Sequence, residues 1–227
     1  MSSDNERSEP PHETQSSRWS LLSRAGHLEY DRVLFFSDAI FAIAITLLVL
    51  DIRVPGAAEN DAAKEIHAAL PNIYSFGISF VVIGLFWMGH HSLSRYIAAF
   101  NRGLIAINLL FLGIIAFLPF PTGVLRAGTS GPSPRAATIF YAACIAAAGL
   151  AELAIWRYAI FKDLLTSEAT PALRREVTLR SLIAPAVFLL SIPVAFYSPN
   201  LATYAWLLIV VANSLLSRLS GAQPQAS

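Results

Sequence analysis

The stretch EYDRVLFFSDAIFAIAITLLVLDIRVP, residues 29–55, decides the class of fold. Its central part, residues 33–51, is almost entirely apolar, with one charge inside it, Asp38, and a second, Asp51, at its end. About 20 apolar residues are needed for a helix to cross about 30 Å of hydrocarbon. A helix is the economical way to cross, because each of its peptide groups bonds within its own segment. We therefore predict a membrane-spanning helix over residues 33–51.

The composition of the whole chain agrees with a membrane protein. Of the 227 residues, 55% are hydrophobic and 14% are charged, and the mean hydropathy is +0.56. A soluble domain carries about 25% charged residues, so this chain has too little polar surface for a water-soluble globule. The net charge of +1 does not suggest a nucleic-acid-binding protein. The one cysteine, Cys144, excludes an internal disulfide framework and a cysteine-rich metal site.

Five further apolar stretches approach or reach the length of a span. With the first, the predicted spans are 33–51, 72–93, 102–122, 136–157, 181–198 and 200–217. Pro185 and Pro193 lie inside the fifth, but prolines kink membrane helices more often than they exclude them. The Ser-Pro-Asn sequence at 198–200 predicts a tight turn between the last two spans. The prediction is an all-α integral membrane protein with six transmembrane helices in one domain, residues 29–219.

The two ends of the chain differ from this domain. Residues 1–28 are rich in Ser, Glu, Arg and Pro, which predicts a disordered N-terminal tail. This tail lacks the apolar run of a secretory signal, so we expect it to be retained. Residues 220–227 predict a short disordered C-terminal tail.

The orientation follows from the basic residues. With both termini in the cytoplasm, all but four of the 16 Lys and Arg residues fall on the cytoplasmic side, which agrees with the positive-inside rule. The four on the outside are Arg53, Lys64, Arg126 and Arg135. The polar connection 158–180 predicts a cytoplasmic helix.

Ionisable side chains inside the spans are the first candidates for a functional site, since each costs roughly 2.5–3.5 kcal/mol on insertion scales. They are Asp38, His90, His91 and Glu152, with Asn108 as a neutral partner. At about 1.5 Å per residue, all five fall within roughly 10 Å of the inner face. We expect them to form a shared polar layer, with Asp38 buried in a hydrogen-bond network.

Other interpretations of these residues stay open. Glu152 is either a member of the layer or a side chain that snorkels toward Arg157. Asn108 is typical of a hydrogen bond between helices. A catalytic metal site needs about three protein ligands, and the histidines other than the adjacent pair lie in the tail or an outer loop, so no metal site is predicted. Those histidines are His12, His27 and His67.

The first span also carries an aliphatic stripe, which we define as Ile43, Leu47 and Leu50. On a helix at about 100° per residue these three fall within about 60° of one another, and Thr46 borders them. Asp38 is about 140° away from Ile43 and therefore points elsewhere. Such a stripe is typical of protein core or lipid contact as well as of a pore lining, and its periodicity does not distinguish the three.

Residues 32–38, RVLFFSD, resemble the Arg-x-x-x-Phe-Ser-Asp signature of the transmembrane protein 175 family. These are potassium channels, lysosomal in animals and also found in bacteria. The resemblance continues through SFVVIGLFWMGHHSLSRY at 79–96 and NLLFLGIIAFLPFPT at 108–122. By motif it covers roughly residues 29–125. The signature and network residues are Arg32, Phe36, Ser37, Asp38, Trp87, His90, His91 and Asn108.

The resemblance implies a homotetramer in which the first helix of each subunit lines a central pore. The length of this chain fits the single-copy bacterial members, which implies the bacterial inner membrane with both termini cytoplasmic. The expected partners are potassium ions and the lipid bilayer, with no cofactor and no nucleic acid.

The resemblance also assigns roles to residues of the first helix. The aliphatic stripe matches the hydrophobic constriction of the family, and Thr46 matches a polar ring associated with potassium preference. Arg32, Ser37 and Asp38 match residues that hold the first helix in its bundle. A narrow apolar collar gates by dewetting, and the chain lacks the Thr-Val-Gly-Tyr-Gly filter of ordinary potassium channels, so selectivity is expected to be modest.

Three alternatives remain. A proton-coupled or proton-conducting transporter would use Asp38 with His90 and His91 as a relay. An intramembrane enzyme would need a nucleophile–base pair or a multi-ligand metal group, and the sequence suggests neither, so no enzyme is predicted. A membrane scaffold that passes no ions is the third.

Overall fold

The computed structural model describes residues 13–50, 52, 62–129 and 133–206, and its regular elements are helices. They are α1 (Glu13–Leu50), α2 (Ala62–Ser94), α3 (Arg102–Phe117), α4 (Pro119–Thr129), α5 (Pro134–Phe161), α6 (Pro171–Ser181), α7 (Ile183–Tyr197) and α8, described over 199–206. The prediction of an all-α protein is confirmed.

Five stretches of the described chain are long and apolar enough to cross a membrane. They are Tyr30–Leu50, Asn72–Ser94, Arg102–Gly128, Pro134–Phe161 and Pro171–Tyr197. Each overlaps one of the first five predicted spans. The sixth, 200–217, begins in α8, and its part after residue 206 lies outside the described residues. Ser198 leaves the helical conformation between α7 and α8, with φ −149° and ψ 108°, and this is the turn predicted at Ser-Pro-Asn.

Two helix boundaries differ from the prediction. α1 begins at Glu13, so residues 13–28 are helical where the composition predicts a disordered tail. Adding a residue to an existing helix is far easier than nucleating a new one, and the apolar span provides the nucleus. The predicted third span, 102–122, is divided between α3 and α4 at Leu118, because Pro119 has no N–H to donate to the preceding turn. Residues 1–12 and 220–227 lie outside the described residues.

The core of the protomer forms around α5, which packs against α3, α4, α6 and α7. α5 is rich in alanine and places Tyr141 and Trp156 fully inside the core. Small residues let membrane helices approach closely. At Gly149 an added Cβ would lie 2.7 Å from Cδ of Pro185, so α5 and α7 are in backbone contact there. α1 lies at the edge of this bundle and packs on α2 and α3.

One end of the bundle is closed by contacts between loops. Ile97 and Leu165 form an isolated antiparallel bridge, with Ala98 N donating to Leu164 O at 2.8 Å and Thr166 N to Tyr96 O at 2.9 Å. We call this end of the molecule, marked by Ile97 and Leu165, the bridge end. α6 follows the bridge, as the polar connection predicts.

Candidate functional site

α1 presents one face to the rest of the protomer. Its buried residues, Ser37, Phe41, Ala44 and Leu48, recur at intervals of three and four and so share one side of the helix. This face packs on α2 and α3. The small side chain of Ala44 lies between the larger Phe41 and Leu48 on this face and is fully buried.

The aliphatic stripe lies on the outer surface of the protomer. Ile43 is 54% exposed, Leu47 is 41% exposed and Leu50 is 74% exposed. Thr46 is exposed beside them, and its Oγ1 donates to Ile43 O at 2.9 Å, so the oxygen lone pairs point away from the helix backbone. Of the three interpretations of the stripe, the core of the protomer is therefore excluded, and pore and lipid contact remain.

Ser37 and Asn108 hold the buried face of α1 against α3. Asn108 Nδ2 donates to Ser37 Oγ at 3.2 Å, and Ser37 Oγ donates to Val33 O at 2.9 Å. Both side chains are buried. The prediction that Asn108 forms a hydrogen bond between helices is confirmed.

Asp38 is not buried in the protomer, and on this point the sequence prediction is wrong. Its side chain is exposed, and Oδ1 accepts a hydrogen bond from Trp87 Nε1 at 2.9 Å. Ser37 and Asp38 are neighbours in sequence, so they point about 100° apart, and the inward position belongs to Ser37. His91 stacks on Trp87 with ring centroids 5.6 Å apart. The bonding partner of Asp38 is thus an indole of α2.

His90 is buried but does not join a polar network. Its ring packs against Phe111 at 5.2 Å and Phe41 at 5.9 Å between centroids. Within the described chain neither ring nitrogen has a hydrogen-bond partner. The predicted shared polar layer is therefore wrong for His90, which acts in this arrangement as an aromatic packing residue.

A cavity of about 220 Å³ nevertheless brings the ionisable groups of α1 and α2 close together. Asp38, His90 and His91 all line it. Over the residues that the structure describes, no three His, Cys, Asp or Glu side chains are arranged to hold a metal ion. The remaining signature residues, Arg32 and Phe36, are exposed on the protomer.

Glu152 lies apart from these residues, which corrects the second part of the predicted layer. It packs against α2 at Gly89, where an added Cβ would lie 2.9 Å from Glu152 Oε1. The side chain is 7% exposed, and Oε1 has no hydrogen-bond partner among the described residues. It does not snorkel toward Arg157. Similar predicted depths do not make Glu152 and Asp38 neighbours, because α5 and α1 are not among the helix pairs that pack closely.

The comparisons with known proteins concern the same segment of the chain. Residues 32–119 match the sequence profile of the family described as the endosomal/lysosomal potassium channel TMEM175. A potassium channel from Streptomyces collinus is 35% identical over 184 residues, which cover 78% of this chain and 87% of that one. The chain belongs to the TMEM175 family. The resemblance drawn from the signature residues is confirmed.

Two further TMEM175 proteins extend the comparison. The crystal structure of a lysosomal potassium-selective channel TMEM175 homolog from Chamaesiphon minutus has a TM-score of 0.72 at 27% identity, and the match covers 82% of this chain and 97% of that one. The endosomal/lysosomal proton channel TMEM175 of Rattus norvegicus is 30% identical over 207 residues, 86% of this chain and 38% of that protein. This chain is thus a multi-pass member of an ion-channel family.

Proposed function

We propose that this chain forms a homotetrameric channel that conducts potassium ions across the bacterial inner membrane with modest selectivity. Four copies of α1 surround the pore, and the aliphatic stripe of each faces the axis. Both termini lie in the cytoplasm, and the channel requires no cofactor and binds no nucleic acid. The potassium channels similar to this chain support the choice of ion.

One observation carries this proposal: the aliphatic stripe is exposed while the opposite side of α1 is anchored. Ser37 bonds to α3 and Asp38 bonds to α2, so the rotation of the helix about its axis is set by contacts inside the protomer. That rotation directs Ile43, Leu47 and Leu50 outward. Four such stripes around an axis form a narrow apolar collar, which excludes water when closed and gates by dewetting.

Thr46 is proposed to supply the preference for potassium. It borders the stripe, and its hydroxyl hydrogen is used by Ile43 O, which leaves the oxygen lone pairs to face a cation. Potassium gives up hydration water more readily than sodium does. A ring of hydroxyl oxygens that replaces part of the hydration shell therefore favours potassium, to a modest degree.

Ile43→Asn tests the hydrophobic gate. An amide in the collar holds water where an aliphatic side chain does not, so we expect a higher basal potassium flux in proteoliposomes. Val49→Asn is the control, since Val49 is 50% exposed on the same helix but lies about 120° from Ile43 around it and about 9 Å further along. Chemical cross-linking of both variants checks that four subunits still assemble. An unchanged flux for Ile43→Asn, or an equal rise in both variants, would contradict the proposed gate.

A second candidate function, proton conduction, rests on the cavity that Asp38, His90 and His91 line. Carboxylates and imidazoles inside membranes form proton relays. We expect Asp38→Asn to lower the proton flux into liposomes that hold a pH-sensitive dye, while the potassium flux is retained. If the two fluxes fall together, the variant has disturbed the channel as a whole and the relay is contradicted.

A further inference from the structure

A second and larger cavity lies away from α1. It has a volume of about 450 Å³ and is enclosed by α2, α5, α6 and α7 close to the bridge end. The aromatic rings of Phe86, Tyr96 and Phe188 line it, together with the carboxyl group of Glu152. Phe86 and Phe188 are buried, and Glu152 is the buried carboxyl group of the lining, which also includes the polar Ser92, Glu176 and Ser181.

Glu152 contributes a buried carboxyl group to the wall of this cavity. It is 7% exposed, and within the described chain its Oε1 has no hydrogen-bond partner. Gly89 faces it, and any larger residue there would put a Cβ 2.9 Å from Oε1. A buried carboxylate oxygen without a hydrogen-bond partner is costly, and a cation that shares its cavity stabilises the charged form.

The lining indicates which kind of cation fits. Mg²⁺ and Ca²⁺ are bound by several oxygen ligands, whereas the buried wall offers a single carboxyl group. Aromatic faces attract organic ammonium ions, and aromatic cages recognise quaternary ammonium groups in this way. A buried carboxyl group in the same cavity as the half-buried ring of Tyr96 therefore suits an ammonium group attached to an apolar body.

The mouth of the cavity carries arginine side chains, in contrast to the carboxyl group inside it. Arg180 pairs with Glu176 at 2.7 Å, and the exposed Arg95 lies on the same rim. An anionic group attached to the ammonium would meet these arginines. The arrangement thus also accepts a zwitterionic headgroup, with its ammonium inside and its phosphate at the rim.

We propose that this cavity binds an organic ammonium group, with Glu152 as the counter-charge and the half-buried ring of Tyr96 as the aromatic face beside it. The ammonium belongs either to a small free amine or to a lipid headgroup, and both sources share this chemistry. The site does not depend on the proposed pore, and its test measures binding without any ion flux.

Calorimetric titration of benzyltrimethylammonium into the full-length protein, held in phosphatidylglycerol nanodiscs, tests the site. We expect saturable binding that benzyl alcohol does not reproduce and that Glu152→Gln weakens at least about tenfold, since it removes one partner of a buried charge pair. Gly89→Ala should weaken binding as well, because its Cβ displaces the carboxyl group. Gly84→Ala is the matched control on the same helix, since an added Cβ there meets no atom within 4 Å.

The results that would overturn the proposal are equally direct. The first is equal affinity for the probe in Glu152→Gln and in the unaltered protein, and the second is equal binding of benzyl alcohol. The third is binding that is lost in Ile43→Asn but kept in Glu152→Gln, since this would place the ammonium in the pore. If Glu152→Gln does not fold, the comparison of Gly89→Ala with Gly84→Ala decides. Two nanodiscs of equal phosphatidylglycerol content separate the sources, one with phosphatidylethanolamine and one with an uncharged galactolipid as the other half. A lower apparent affinity with phosphatidylethanolamine favours a competing headgroup, and equal affinities favour a free amine.

Discussion

Ser37→Ala tests the contact that fixes the rotation of α1. In the native arrangement the hydroxyl of Ser37 accepts from Asn108 Nδ2 at 3.2 Å and donates to Val33 O at 2.9 Å. Asn108 is 2% exposed, so removing the hydroxyl leaves a buried amide N–H without its acceptor. An unsatisfied buried polar group costs about 1–3 kcal/mol, and hydrogen bonds inside membrane proteins contribute up to about 1.7 kcal/mol. We expect the free energy of unfolding to fall by about 1–2 kcal/mol.

Removing both partners should cost less than removing one. In the double variant Ser37→Ala, Asn108→Leu, an apolar side chain of similar size replaces the amide, and no polar group is left unpaired at that position. Replacing both members of a buried hydrogen bond by apolar groups is nearly neutral in favourable cases. We therefore expect the double variant to recover most of the stability that Ser37→Ala loses.

Reversible unfolding in mixed micelles, titrated with sodium dodecyl sulfate and followed by circular dichroism, measures these differences. Ser94→Ala is the matched control, because Ser94 is also buried and its hydroxyl makes the same kind of bond to its own helix, to His90 O at 2.8 Å. It should cost less than about 0.5 kcal/mol. The reasoning fails if Ser37→Ala costs no more than Ser94→Ala, or if the double variant is less stable than Ser37→Ala alone.

Three further predictions concern other contacts. Thr46→Ala should reduce the preference for potassium over sodium, and unchanged bi-ionic reversal potentials in planar bilayers would refute the role of the hydroxyl. Trp87→Phe keeps a ring for stacking but removes the bond to Asp38, so it should lower stability by at most about 1 kcal/mol in the same micelle titration, and a larger loss would indicate a packing role instead. Gly149→Ala places a Cβ 2.7 Å from a proline ring of α7 and should lower the free energy of unfolding by about 1–3 kcal/mol. In the control Gly113→Ala the added Cβ meets no atom within 4 Å, so the thermal midpoint should rise. Equal thermal midpoints for the two variants would argue against close packing at Gly149.

The helices of this protein could be predicted from the sequence because the bilayer imposes a length on each apolar run. The five described spans overlap the predicted ones for this reason, and only their ends move. The third span is divided at Leu118 because of Pro119, a local effect that does not appear when hydropathy is averaged over about 20 residues. α1 begins as early as Glu13 because a helix extends easily once it has formed, and the amino-acid composition of residues 13–28 does not reveal this.

The side-chain network was harder to predict, since depth in the membrane does not determine which helices are neighbours. Asp38 and Glu152 have similar predicted depths, but Asp38 bonds to Trp87 whereas Glu152 packs on Gly89. The inward residue at the start of the buried face is the uncharged Ser37. A search restricted to ionisable side chains passes over it.

A second polar cluster was missed for the same reason. Tyr141 and Ser79 share a hydrogen bond at 3.0 Å. Thr122 Oγ1 lies 2.8 Å from both Ser79 Oγ and Leu118 O, and its single hydroxyl hydrogen is directed at one of them. Hydroxyl side chains in helices satisfy themselves on their own backbone, so their presence in a span carries little signal. Their convergence becomes visible only when α2, α4 and α5 are packed together.

The way in which α1 is held limits how the proposed gate opens. Residues 30–50 contain neither glycine nor proline, and sharp kinks in helices arise at such residues. The aliphatic stripe therefore moves with the rest of α1, by rotation or tilt, and not by local bending at a hinge. Over residues 30–50, the polar contacts of α1 with other helices lie at Tyr30, Ser37 and Asp38, before the stripe in the sequence. The buried residues beside the stripe are the apolar Ala44 and Leu48. Apolar packing is non-directional and permits small shifts that a hydrogen bond resists, so a tilt that widens the collar pivots near Ser37.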